Sequence, residues 1–157
     1  MIAIANLIMY WLHLVATVVW IGGIGFILLI LIPKTKEVLG QDAGKLIGEV
    51  SKQFKLFADW SIILLIITGI VLSLISKVET PDGAKVGHNT LLMIIKHVFV
   101  IMMILIHLYR NFRLSKKIEI AQNSTYKTKL QKLSLNLVRV VFVFGLIVLL
   151  LSVGATG

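Results

Sequence analysis

Two methionine–histidine pairs share one spacing in this chain: Met9 with His13, and Met93 with His97. Residues at i and i+4 share a helix face, so each pair would present a thioether and an imidazole together. If the two helices are neighbours, two thioethers and two imidazoles converge, a donor set suited to Cu(I). Methionine is also a common filler of apolar cores, and Met103 stands in the same relation to His107. Spacing alone therefore leaves ligand and packing roles both open. The setting of His13 sharpens the case, because it sits in an uncharged run over residues 1–32 where an imidazole without a partner would be poorly solvated. Polar groups at membrane depth usually face a bundle interior and mark a site.

Other ionisable groups fall in apolar surroundings too. Lys96 sits several residues inside an apolar segment, too deep for easy snorkelling, and suits an anion such as a haem propionate, a substrate carboxylate or a lipid phosphate. An outward lysine held by a headgroup is the plainer alternative. Lys96 and His107 are three helical turns apart and share a face, while His97 points about 100° away. Asp59 and Arg139 approach the level of His107 from other segments, and a paired Asp59, His107, Arg139 cluster would satisfy charges that lipid cannot. The chain has no cysteine, which excludes disulfides, thiolate ligands and cysteine nucleophiles. Hydrolase chemistry has no support, since no nucleophile, base and orienting acid fall at a common depth.

The elements that must position these residues are apolar helices. Apolar residues make up 58% of the 157-residue chain and charged residues only 15%, which places it among integral membrane proteins. Four segments are long enough to cross or nearly cross a bilayer, at about 4–32, 60–75, 90–108 and 134–153. The expectation is an all-α, four-helix bundle forming a single transmembrane domain over residues 1–157. The first segment lacks a basic flank and a small-residue cleavage site, so it is expected to be a retained helix.

The net charge of +9 is concentrated between segments. Five lysines fall in residues 33–59 and seven lysines and arginines in residues 110–133, against Lys77 and Lys85 in the remaining connection. Positive residues mark the cytoplasmic side, so these two loops are expected inside a multi-pass cell-membrane protein with both termini on the outer side. Binding to anionic headgroups is a further role for such loops. Nucleic-acid binding is not expected, because the aromatic interleaving of a single-strand groove is missing.

Within the loops, Pro33 should stop or kink the first helix. Leu46, Ile47, Val50, Phe54 and Phe57 recur at helical spacing, so residues 43–57 read as an amphipathic helix that lies in the interface or extends the second segment. Pro81, Asp82, Gly83 and Gly87 read as a turn, with His88 solvated beside it. The sequon at Asn123 is discounted because the topology places it inside. With these helices, His13 lies roughly 14 Å and His97 about 11 Å below the outer starts of their helices, and His107 about 15 Å deeper than His97. One centre shared by His13 and His97 follows as an expectation, with His107 in a separate layer.

The stretches Trp11-Leu12-His13-Leu14 and Val19-Trp20-Ile21-Gly22-Gly23 resemble the first helix of the CopD-type copper resistance membrane proteins, and Ile67-Thr68-Gly69-Ile70 their second. Lys96, the apolar run after it and Tyr109-Arg110-Asn111 are similar to their third helix. The His13 to Trp20 and Lys96 to His107 spacings also resemble the related HemJ proteins, four-helix membrane proteins associated with haem b and protoporphyrinogen oxidation. The chain departs from HemJ in placing His97 directly after Lys96, and in ending its first helix as Ile32-Pro33-Lys34-Thr35. The resemblance implies either a CopD-like protein handling copper or a haem b membrane redox protein. Met9 and Met93 argue for copper, whereas Lys96 and Arg139 suit an anionic group such as a propionate. A third class is an accessory subunit of a membrane complex whose histidines only hydrogen-bond between helices. The bilayer is the expected surrounding, and a redox partner or metallochaperone and a homo-oligomer are compatible with each reading.

Overall fold

The structure is a computed structural model that describes residues 2–79 and 88–154, with side chains described over 4–75 and 91–154. The expected turn at Pro81, Asp82, Gly83 and Gly87, the side chains of Lys77 and His88, and Lys85 lie outside the described residues. Among the described residues the elements are all helical. Three stretches among these described residues are long and apolar enough to cross a membrane: Ile4–Ile75, Leu91–Ile120 and Ser124–Gly154. In a bilayer every backbone N–H and C=O must be satisfied within the segment, which is why runs of this composition settle as helices. The chain forms two compact units, Met1–Lys85 and Val86–Gly157.

In the first unit, α1 (Ile2–Thr17), α2 (Gly23–Phe26) and α3 (Ile32–Leu39) follow one another without leaving helical geometry. They are joined by wider π-helical turns at Val18–Gly22 and Ile27–Leu31. Pro33 does not end this limb. It sits in the first turn of α3, directly after the second π turn, where the looser hydrogen-bond ladder tolerates a residue with no N–H. The limb ends instead at Gly40, whose φ of 52° is open to glycine and strained for other residues. A short 3-10 turn, Gly40–Asp42, then leads into α4 (Ala43–Glu79).

α4 runs back antiparallel to the first limb. His13 meets Thr68, and Gly23 packs so closely on Phe54 that a Cβ there would overlap the ring. The amphipathic segment at 43–57 takes the second of its two expected forms, as a continuous extension of the helix that contains 60–75. Small residues at such crossings let helices approach. Most large apolar side chains point outward, among them Leu7, Leu14, Leu29, Ile67 and Ile70, as a lipid solvent permits.

The second unit is also a hairpin. α5 (His88–Tyr109) passes through a π turn at Arg110–Leu114 into α6 (Ser115–Ile120), and α7 (Ser124–Gly154) returns. Asn123 caps α7, its Oδ1 accepting from the backbone N–H groups of Thr125 and Tyr126 at 2.9 and 3.1 Å. Phe99 and Phe144 meet edge to face with centroids 5.0 Å apart, and Leu92 lies beside Gly154. Both pairs fix an antiparallel register.

Candidate metal site

The first unit holds His13 by a contact between its two limbs. His13 Nδ1 lies 2.7 Å from Thr68 Oγ1, and Thr68 Oγ1 lies 2.7 Å from the carbonyl oxygen of Leu64. Two oxygens that close require the hydroxyl proton between them, so Thr68 donates to Leu64 and accepts from His13. The His13 ring proton is therefore on Nδ1 and the in-plane lone pair on Nε2. This is the arrangement in which metal-binding histidines are commonly oriented, with the outer nitrogen donating to a fixed oxygen. Thr68 is almost fully buried, which keeps water from competing for the bond. Gly69 leaves room at the ring edge, since a Cβ there would be 3.8 Å from His13 Cε1. Thr17 returns a hydrogen bond to the His13 carbonyl at 2.8 Å, and the π turn that carries buried Trp20 begins at the next residue. Met9 is half-buried one turn before His13 on the same helix, so a thioether and an imidazole share one face.

The second unit treats its two described histidines differently. His97 is exposed on α5 and its Nδ1 donates to the Met93 carbonyl oxygen at 2.6 Å, which again places the lone pair on Nε2. Met93 is exposed as well. Lys96 is half-buried, on the side of α5 that carries buried Met103 and His107. His107 is held within its own helix: the Asn111 amide donates to its Nε2 at 2.9 Å, so the lone pair that a metal would use is engaged. Asn111 lies in the π turn, and Ser115 Oγ donates to its carbonyl oxygen. His107, Asn111 and Ser115 thus form a polar ladder at i, i+4 and i+8 that runs from the buried His107 and Asn111 to the exposed Ser115. Arg139, expected near His107 and Asp59, is exposed and donates to Asn136 Oδ1 at 3.2 Å. Asp59 is half-buried on α4. Among the described residues, no three His, Asp or Glu side chains gather as a metal-binding group.

Thr68 and Asn111 entered the sequence reading only as parts of short family-like stretches, without a role. Their signal was faint: each is a lone neutral polar residue near or within an apolar run, and such residues usually satisfy themselves on their own helix.

The family model for copper resistance protein D, CopD, matches residues 48–155, more than half of the chain. The protein belongs to the CopD family. No curated protein and no solved structure gives a significant match. The CopD match includes Thr68, Lys96, His97, His107, Asn111 and Arg139, whereas Met9 and His13 precede it.

Copper fits the donors of the first unit. Imidazole nitrogen and thioether sulfur are the neutral, soft-to-borderline ligands that favour Cu(I) over hard cations, and the bond to Thr68 occupies Nδ1 of His13 rather than Nε2. The His107 layer fits less well, because a metal there would have to displace the Asn111 amide.

Proposed function

We propose that this CopD protein handles copper ions within the membrane, with His13 Nε2 and the Met9 thioether as donors in the first unit. The observation that carries this reading is the limb-to-limb bond from His13 Nδ1 to Thr68, which orients the ring and fixes its tautomer before any ion arrives. Copper is cargo in this reading. The chain binds it as Cu(I), holds the imidazole at a set angle and excludes water with the apolar wall of α1 and α4. The two hairpins would contribute four spanning helices to a single transmembrane domain, with basic residues 33–59 and 110–133 on the cytoplasmic side. Both termini would then lie on the outer side.

The test is competition for Cu(I) against a chromogenic chelator, using the purified full-length protein in nanodiscs. Wild type should bind stoichiometrically, and His13→Ala should lose that binding while remaining helical. Unchanged binding in His13→Ala refutes the assignment.

A second reading, haem b, draws support from the second unit. His97 also carries its lone pair on Nε2, and the neighbouring Lys96 is a half-buried cation suited to a propionate. The absorption spectrum of the reduced protein separates the two: a Soret band with sharp alpha and beta bands means haem, and a silent spectrum with bound copper means the copper reading.

A further inference from the structure

The two hairpins differ in charge at their loop ends. Residues 33–59 of the first unit carry five lysines and four acidic residues, and Lys34 is already paired with Glu37 at 2.8 Å. Residues 110–133 of the second unit carry seven lysines and arginines against Glu119 alone. Arg113, Lys116, Lys117, Lys127, Lys129 and Lys132 are all exposed. The hairpin register stacks them, because a chain that reverses at residues 121–123 brings Arg113 level with Gln131 and Lys116 level with Thr128. Cations from α6 and α7 therefore share the same heights rather than alternating with acids. Marking topology requires only lysine and arginine, and the nearly neutral first loop carries enough of them; it does not require this excess.

Height selects the partner. Counting from Leu108, Arg113 stands about 8 Å and Lys116 about 12 Å along the helix axis, and the headgroup layer is about 5–8 Å deep on each side of the hydrocarbon. Long basic side chains that snorkel back from these levels meet the phosphate plane. Tyr109 and Phe112, just before Arg113 in the chain, are exposed and are of the type that anchors at a membrane interface. We infer that the α6–α7 end of the second unit is a binding surface for anionic lipid headgroups, and that the α3–α4 end of the first unit is not. Each cation at this level contributes about fivefold in partition toward an anionic surface.

The chain has no cysteine, so single fluorophores can be placed at Gln131→Cys and Leu56→Cys in the full-length protein. Both are read in phosphatidylcholine nanodiscs containing a small share of 5-doxyl phosphatidylglycerol or, separately, 5-doxyl phosphatidylcholine. At position 131 the anionic quencher should win several-fold at low salt, and the advantage should fade as salt is raised. It should also fade when Lys116, Lys117, Lys127, Lys129 and Lys132 are changed to Gln. At position 56 the two quenchers should act alike. Equal quenching at position 131 at low salt, or an equal anionic preference at both positions, overturns the inference. So does an advantage at position 131 that salt leaves intact. Binding of soluble polyglutamate to the 131 end without any lipid preference would also overturn it and make the surface a protein-docking site.

Discussion

His13 and His107 are both histidines in apolar helices, yet the chain holds them by opposite ends of the ring. His13 donates through Nδ1 to a residue 55 positions away on the antiparallel limb, so its lone pair lies on Nε2 and its angle depends on the hairpin. His107 accepts at Nε2 from Asn111 one turn along the same helix, and is nine-tenths buried. The first arrangement engages Nδ1 across the hairpin, and the second engages Nε2 within one helix. A histidine in a membrane helix is therefore not yet a site: which nitrogen is occupied, and from which element, decides its use.

Replacing each histidine should separate these roles. His13→Ala should weaken Cu(I) binding by more than the roughly 10–100-fold that loss of an outer-shell partner costs, with little change in thermal unfolding. His107→Ala should leave Cu(I) affinity close to wild type but lower stability by about 1–3 kcal/mol, since it strands the Asn111 amide in a buried setting. Chelator competition and thermal melts in nanodiscs on both variants check the pair, and a loss of copper confined to His107→Ala would reverse the comparison.

The partners give the next effect. Thr68→Val preserves shape but removes the oxygen that fixes the His13 tautomer, so Cu(I) affinity should fall about 10–100-fold while stability changes by only about 0.5–1.5 kcal/mol. Asn111→Leu should do the opposite, with unchanged affinity and lower stability. If Thr68→Val binds copper like wild type, the inter-limb hydrogen bond is structural only.

A smaller effect concerns the hairpin itself. Gly23→Ala must push the Phe54 ring aside, costing about 1–3 kcal/mol, whereas Gly69→Ala places its Cβ at ordinary contact distance from His13 and should be nearly neutral in stability. Thermal unfolding of the two variants ranks them. Equal destabilisation would mean that the limbs close no more tightly at Gly23 than at Gly69.

The helical class, the polar exceptions and the two methionine–histidine pairs were legible because composition and i, i+4 spacing are local properties. The Thr68 contact was not, because it depends on the register between limbs, which is set by the positive φ of Gly40 and by π turns that apolar sequence does not announce. Pro33 shows the same limit: proline predicts a break only against a regular ladder, and here the preceding π turn has already relaxed it. The exposure of His97 was equally hidden, since α5 is apolar around most of its circumference and no polar face marks its outside. The extension of α4 through residues 43–57 was one of two forms the amphipathic pattern allowed, and continuity of the backbone chose it.

The most direct measurement is the nitrogen NMR spectrum of histidine-labelled protein in nanodiscs, assigned by comparison with His13→Ala, with and without one equivalent of Cu(I). The account predicts that His13 is protonated at Nδ1 in the metal-free protein, that its Nε2 resonance moves on addition of Cu(I), and that the His107 resonances stay in place. A His13 ring protonated at Nε2, or a copper-induced shift at His107 with none at His13, would contradict it.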